Sequence, residues 1–263
     1  HGRRCRDQLM TLFDTHCHLT DEVFDDDRPE VLAAMAEQGI DHCAVIGYDL
    51  ASSRAALAFV LGQPLFCAAV GIHPEHADAV SPESLAALRE MAETYPKQVR
   101  AIGEIGLDGH DARNPAWDIQ IAACLAPMEL ARDLKLPVCF HVRDAGQDML
   151  ELLRAHRDLI TGGIMHCFSG SWETAKEYLK LGYHISFAGP VTFKKAPRLQ
   201  DVALKVPLDR LLIETDSPYM APEPVRGHRN NPANVRFVCE KIAQIRGMEV
   251  AELARITTEN ALR

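Results

Sequence analysis

The 263-residue chain predicts an α/β protein, a (β/α)8 TIM barrel. Three observations carry this. Short apolar, strand-like runs alternate with helical patterns along the whole chain, eight times over. The runs are continuously apolar rather than polar on alternate positions, as expected for parallel strands covered on both faces. The remaining candidate, an open doubly wound sheet, calls for a glycine-rich turn after the first strand, and none is present.

The elements follow in order. The first strand is read over residues 12–16, and a helix over 28–38 has Pro29 in its first turn and Gly39 as its stop. A strand over 42–46 and a helix over 52–61 come next, then a strand over 66–71. Ser81 and Pro82 open a helix as N-cap and first-turn residue. The fourth strand is read over 100–103, with a long helix over 115–134. A strand over 137–141, a helix over 145–156 and a strand over 163–166 follow. Ser171 caps a helix that Gly182 closes. The last units are a strand over 184–187, a helix over 197–205, a strand over 210–214, and helices over 233–246 and 250–262.

No Pro/Gly/Ser-rich linker divides the chain, so residues 10–263 are expected to form one domain. Residues 1–9 are polar and basic and read as a leader outside the fold, with Met10 as the natural start. They contain no apolar core of a signal peptide, and no apolar run is long enough to span a bilayer. The eight cysteines are scattered without a Cys-x-x-Cys pair, and several lie in apolar runs (Cys43, Cys67, Cys139), which points to reduced thiols and the cytoplasm; a monomer is expected. A net charge of −9 argues against a broad basic face for duplex DNA. A nucleic-acid substrate would have to be held locally, at a strand end.

In such barrels the C-terminal ends of the strands carry the site. His16 and His18 stand there, two residues apart and therefore on one face. Alone they are either a metal clamp or two surface histidines beside a turn. Later strand ends add His73, Glu104, His141, His166 and Asp216. His16, His18, Glu104, His141, His166 and Asp216 form a mixed nitrogen and oxygen donor set suited to Zn2+ or Mn2+, and with more carboxylate and water to Mg2+. Six donors exceed what one tetrahedral catalytic ion takes and suit two divalent ions bridged by Glu104.

The motifs Asp14-Thr15-His16-Cys17-His18, Gly71-Ile72-His73-Pro74, Gly103-Glu104-Ile105-Gly106-Leu107-Asp108, His141-Val142-Arg143-Asp144, His166-Cys167-Phe168-Ser169-Gly170 and Glu214-Thr215-Asp216-Ser217-Pro218-Tyr219 resemble the TatD family of metal-dependent deoxyribonucleases, barrels of the metal-dependent hydrolase type. The resemblance runs from Met10 to Arg263 and takes in Arg226-Gly227, Arg229-Asn230, Pro232 and Thr258-Glu259-Asn260. It implies that His16, His18 and Glu104 hold one ion with Asp216 near it, and that Glu104, His141 and His166 hold the other. The chain departs from the family at Gly109-His110, where an aromatic residue is usual after Gly-Leu-Asp; this bears on substrate preference.

The expected chemistry is two-metal phosphodiester hydrolysis, with DNA, single-stranded or at frayed ends, as substrate and 3′-to-5′ exonuclease action. Asp216 would orient the water and take its proton, and Glu104 would bridge the ions. His73 would line the site. Arg143 would clamp phosphate or pair with Asp144; Arg226 and Arg229 would touch substrate or lie in a solvated loop. Lys194, Lys195 and Arg198 would track a strand or form a wet surface. Cys17 and Cys167 neighbour ligands but face away from the ions by alternation. Trp117 and Gln120 would pack and cap the loop after the fourth strand. His42, His110, His156 and His184 are read as structural or surface residues. Hydrolysis of another ester or amide at the same ions, as in a D-aminoacyl-tRNA deacylase or a small-molecule amidohydrolase, stays open, as does a non-catalytic scaffold.

Overall fold

The computed structural model describes residues 10–263, so the leader expected over residues 1–9 lies outside the described residues. The barrel units are β1 (Leu12–Cys17), α1 (Arg28–Glu37), β2 (Ile40–Ile46), α2 (Leu50–Val60), β3 (Phe66–Val70), α3 (Pro82–Thr94), β4 (Val99–Asp108), α4 (Trp117–Leu134), β5 (Val138–Arg143), α5 (Gly146–Ala155), β6 (Gly163–Met165), α6 (Trp172–Lys180), β7 (Tyr183–Phe187), α7 (Pro197–Lys205), β8 (Leu211–Ile213), α8 (Val235–Arg246) and α9 (Val250–Leu262). The eight strands lie in sequence order and pair in parallel, so each helix from α1 to α7 is a crossover to the next strand. The last seam is narrow. Beyond β8 the chain meets β1 through a parallel bridge at Cys17 and Ser217, with His18 N donating to Ser217 O and Asp216 N to His16 O, each at 2.8 Å. This is the (β/α)8 barrel that the alternation predicts. Among the described residues no helix is long and apolar enough to cross a membrane.

The apolar runs are buried as continuous runs predict. Ile102, Phe140, Ile185 and Leu211 are wholly buried between barrel and helices, and each such side chain stabilises the fold by roughly 1.5–3 kcal/mol. Local signals set the helix starts. Ser81 accepts from Ser84 N, and Ser84 Oγ accepts from Ser81 N, a reciprocal cap ahead of Pro82. The same device at Asp49 and Ser52 starts α2 at Leu50, two residues before the expected 52, because Ser52 is the third helical residue of the box.

The larger difference is β4. The sequence alone ends the strand at 103. It continues to Asp108, paired with β5 from Ile105 opposite Phe140 to Asp108 opposite Arg143. The register slips between Gly103 and Ile105, so Glu104 is the extra residue of a bulge. Its N–H leaves the β4–β5 ladder and donates to Gly47 O at 2.9 Å. Gly103 and Gly106 serve close approach. A Cβ on Gly103 would lie 2.6 Å from that of Cys139, and one on Gly106, whose φ is +152°, would lie 1.8 Å from His141 O.

Candidate metal centre

The bulge aims Glu104 into the barrel mouth, where its two oxygens face different histidines. Oε1 lies 3.6 Å from His16 Nε2 and 3.8 Å from His18 Nε2. Oε2 lies 2.9 Å from His166 Nε2, 3.2 Å from His141 Nδ1 and 3.8 Å from His73 Nε2. Asp216 Oδ1 stands 3.4 Å from both His16 Nε2 and His18 Nε2. Asp216 takes a left-handed conformation (φ 55°) just past β8, which an aspartate tolerates and which turns its carboxylate into the mouth. The strand ends therefore bring together all six expected donors.

Each histidine keeps one nitrogen for the centre because another group occupies the other. His18 Nδ1 is 3.0 Å from Ile46 O, His16 Nδ1 is 3.4 Å from Cys139 Sγ, His166 Nδ1 is 2.8 Å from Glu214 Oε2, and His141 Nε2 is 2.8 Å from Asp108 Oδ2. This pattern fixes tautomer and ring orientation in ligating histidines. His16 Nε2 is buried with no hydrogen-bond partner among the described residues. A lone pair left bare at the focus of two carboxylates and three imidazoles fits a divalent cation. Donor atoms of His16, His18 and Glu104 lie within 4.8 Å of one another, as do those of His73, Glu104 and His141, and Glu104 is common to both groups.

Burial and the neighbouring charges set the protonation. Burial alone would raise the Glu104 carboxyl, but His166 and His16 beside it hold it well below the usual range. Burial lowers His166, yet Glu214 and Glu104 on either side carry it well above the ordinary imidazole value. His16 is lowered by burial and by His166, and His73 is lowered to about 4 chiefly by burial, so both are neutral at pH 7. Asp216 stays ionised: His18, His166 and His16 outweigh its burial.

Asp108, Glu214 and Cys139 serve as partners of the donor histidines, a role the sequence alone does not assign. Asp108 Oδ1 accepts from His110 N at 2.8 Å while Oδ2 holds His141. Gln120 grips the same residue, accepting from Asp108 N at 2.9 Å and donating to Asp108 O at 3.1 Å, the loop cap expected of it. Glu214 also accepts from Cys167 N at 2.8 Å, so each of its oxygens already has a partner. A carboxylate two or four residues from a ligand on the same strand end is the sequence signal for such partners. Cys17 Sγ lies 2.9 Å from Cys43 Sγ, away from the donors, in keeping with the alternation argument.

The arginines divide. Arg143 is exposed at the end of β5, and its expected alternative partner is engaged elsewhere, because Asp144 Oδ2 lies 2.7 Å from His110 Nδ1. Arg226 stacks on Phe193 with 3.6 Å from guanidinium carbon to ring centroid. Arg229 is neither a free substrate contact nor a loose loop residue. It donates to Val23 O at 2.7 Å and to both oxygens of Asp27, clasping the last βα loop to the first. His73 accepts from Glu75 N through Nδ1 at 3.0 Å and turns Nε2 to the site, where it lines the wall as expected.

Barrel and donor set define a metal-dependent hydrolase. The TatD related DNase family profile matches residues 13–263, and the chain belongs to that family. It is 41% identical over 252 residues to the Bacillus subtilis protein named uncharacterized metal-dependent hydrolase YabD, covering 96% of this chain and 98% of that one. It is 35% identical over 256 residues to the 3'-5' ssDNA/RNA exonuclease TatD of a Rahnella species, covering 95% and 96%. The crystal structure of YJJV, a TatD homolog from Escherichia coli K12, superposes with a TM-score of 0.88 at 31% identity, covering 95% of each chain.

Proposed function

We propose that the chain is a two-metal phosphodiesterase that removes nucleotides from single-stranded or frayed DNA ends in the 3′-to-5′ direction. The observation that carries this reading is the divided Glu104 carboxylate, one oxygen towards His16 and His18, the other towards His141 and His166. Zn2+, Mn2+ or Mg2+ ions held there supply Lewis acidity and a water acidic enough to ionise near neutral pH. The chain's own residues do the rest. Asp216, ionised and within reach of the same histidines, orients the attacking water, takes its proton and passes a proton to the leaving oxygen. His73, neutral at pH 7, lines the mouth without adding charge.

The relative named an exonuclease supports the substrate class and polarity. Exposed Arg143, Lys194, Lys195 and Arg198 supply cations at the strand C-terminal end of a chain whose net charge is −9. That suits local contact with one strand rather than a duplex-wide face. The seven described cysteines are free, which agrees with action in the cytoplasm. The test is Glu104→Ala beside the unaltered protein, with bound metal and cleavage of end-labelled single-stranded DNA measured with and without chelator. Metal content and cleavage should both collapse in the variant, and chelator should abolish cleavage in the parent. Full activity in the variant, or cleavage only of an amide or aminoacyl ester, overturns the reading.

A further inference from the structure

A cavity of about 310 Å3 opens between the β5–α5 and β6–α6 connections, with His166 in its wall. Its lining includes Val142 and the largely buried side chains of Phe140, Met165 and Phe168. Its rim is polar, with Asp144 and Ser169 beside Arg198. The volume falls in the range that takes a single ring system. His110 fixes the Asp144 carboxylate through one oxygen, leaving the other as an acceptor at the rim.

Arg198 reaches this rim from α7, on the far side of β7. It is exposed, as are Lys194 and Lys195 just before it, and no ion pair involves any of the three among the described residues. Three uncompensated cations in five residues are conspicuous in a chain of net charge −9. A surface kept wet for solubility would intersperse both signs. Here the ridge borders a ring-sized pocket of mixed polar and aromatic lining, and the pocket borders His166 of the donor set. A single nucleic-acid strand joins those three features: a scissile phosphate, a neighbouring base, and further phosphates.

We propose that this cavity receives the base of a nucleotide flanking the scissile phosphate, with Arg198 against the phosphate on its far side. The strand then leaves the centre past His166 towards Lys194 and Lys195. The proposal rests on the phosphodiesterase reading above and adds a subsite and a direction to it.

The test is binding in chelator, so that no cleavage intervenes. Fluorescence anisotropy of a labelled single-stranded tetranucleotide is followed across a salt series. Arg198→Ala should weaken binding and reduce the salt slope by about 0.7, the release expected for one single-strand phosphate contact. Thr174→Leu pushes a larger side chain into the cavity from α6, where Thr174 lines it. It should raise Kd roughly tenfold, within the range of a lost base–aromatic contact, and leave the slope unchanged. Lys97→Ala, at the opposite end of the barrel before β4, should alter neither. Parental affinity and slope in both rim variants overturn the proposal, as does failure of the parent to bind. Binding that both variants weaken, in a parent that leaves DNA uncut when metal-loaded, sustains the pocket and overturns the hydrolysis reading. Cleavage indifferent to both variants does the reverse.

Discussion

Glu214 holds His166 through a 2.8 Å contact between Oε2 and Nδ1, and through it the orientation of the Nε2 that faces Glu104. Glu214 touches no substrate space, being wholly buried. Glu214→Gln keeps the shape and removes the charge behind the ring. Metal affinity should drop about 10–100-fold, the usual effect of losing such a partner. Competition with a coloured chelator measures this, and an unchanged affinity would refute the role.

Gln120 does for Asp108 what Glu214 does for His166, but through the backbone. Gln120→Leu takes from a nearly buried residue the partner of its amide and the shorter of two bonds to its carbonyl, leaving only Asn114 Nδ2 at 3.4 Å. Each such loss costs about 1–3 kcal/mol. Urea denaturation should show a loss of that size, and activity should fall with it because Asp108 aims His141.

Gly106→Ala should be worse for the site than for the fold as a whole. The new methyl would meet His141 O, and β5 must move to admit it. Overpacking of this kind costs about 1–3 kcal/mol. The diagnostic result is metal loss at temperatures where the barrel remains folded by circular dichroism. Parental metal binding in this variant would show that β5 yields without moving the ligand.

The acid limb of stability should report on Asp108. Burial works against its charge, but hydrogen bonds from His141 and the His110 amide hold its carboxyl down at about 2. A depressed folded pKa gives stability that is complete above the unfolded value of about 3.9 and lost as pH falls through the folded one. In metal-free protein the difference between parent and Asp108→Asn should shrink between pH about 4 and about 2. A constant difference across that window would refute the linkage.

Much of this architecture is legible in the residues because parallel strands buried on both faces leave an uninterrupted apolar signature. The donors are legible for a related reason: polar residues such as His141 and His166 stand out where such runs stop. The length of β4 is not, since Gly103 and Gly106 carry the same local signal whether they end a strand or let two backbones approach. The roles of Asp108 and Glu214 depend on which imidazole nitrogen is already engaged, and nothing in a one-dimensional pattern records that. Arg229 is the clearest case. Its partner Asp27 is 202 positions away, and only barrel closure brings the two together.

The seam between the first and last strands has a consequence for the protein's life on the ribosome. His16 and His18 are made well before β8, but the backbone contacts that lock them, from Asp216 N to His16 O and from His18 N to Ser217 O, wait for the chain beyond the eighth strand. Asp216 itself arrives only then. A chain halted or clipped before that point holds most of the donors yet lacks the Asp216 carboxylate and the closing bonds. The donor set is thus completed only once the chain beyond β8 has been made.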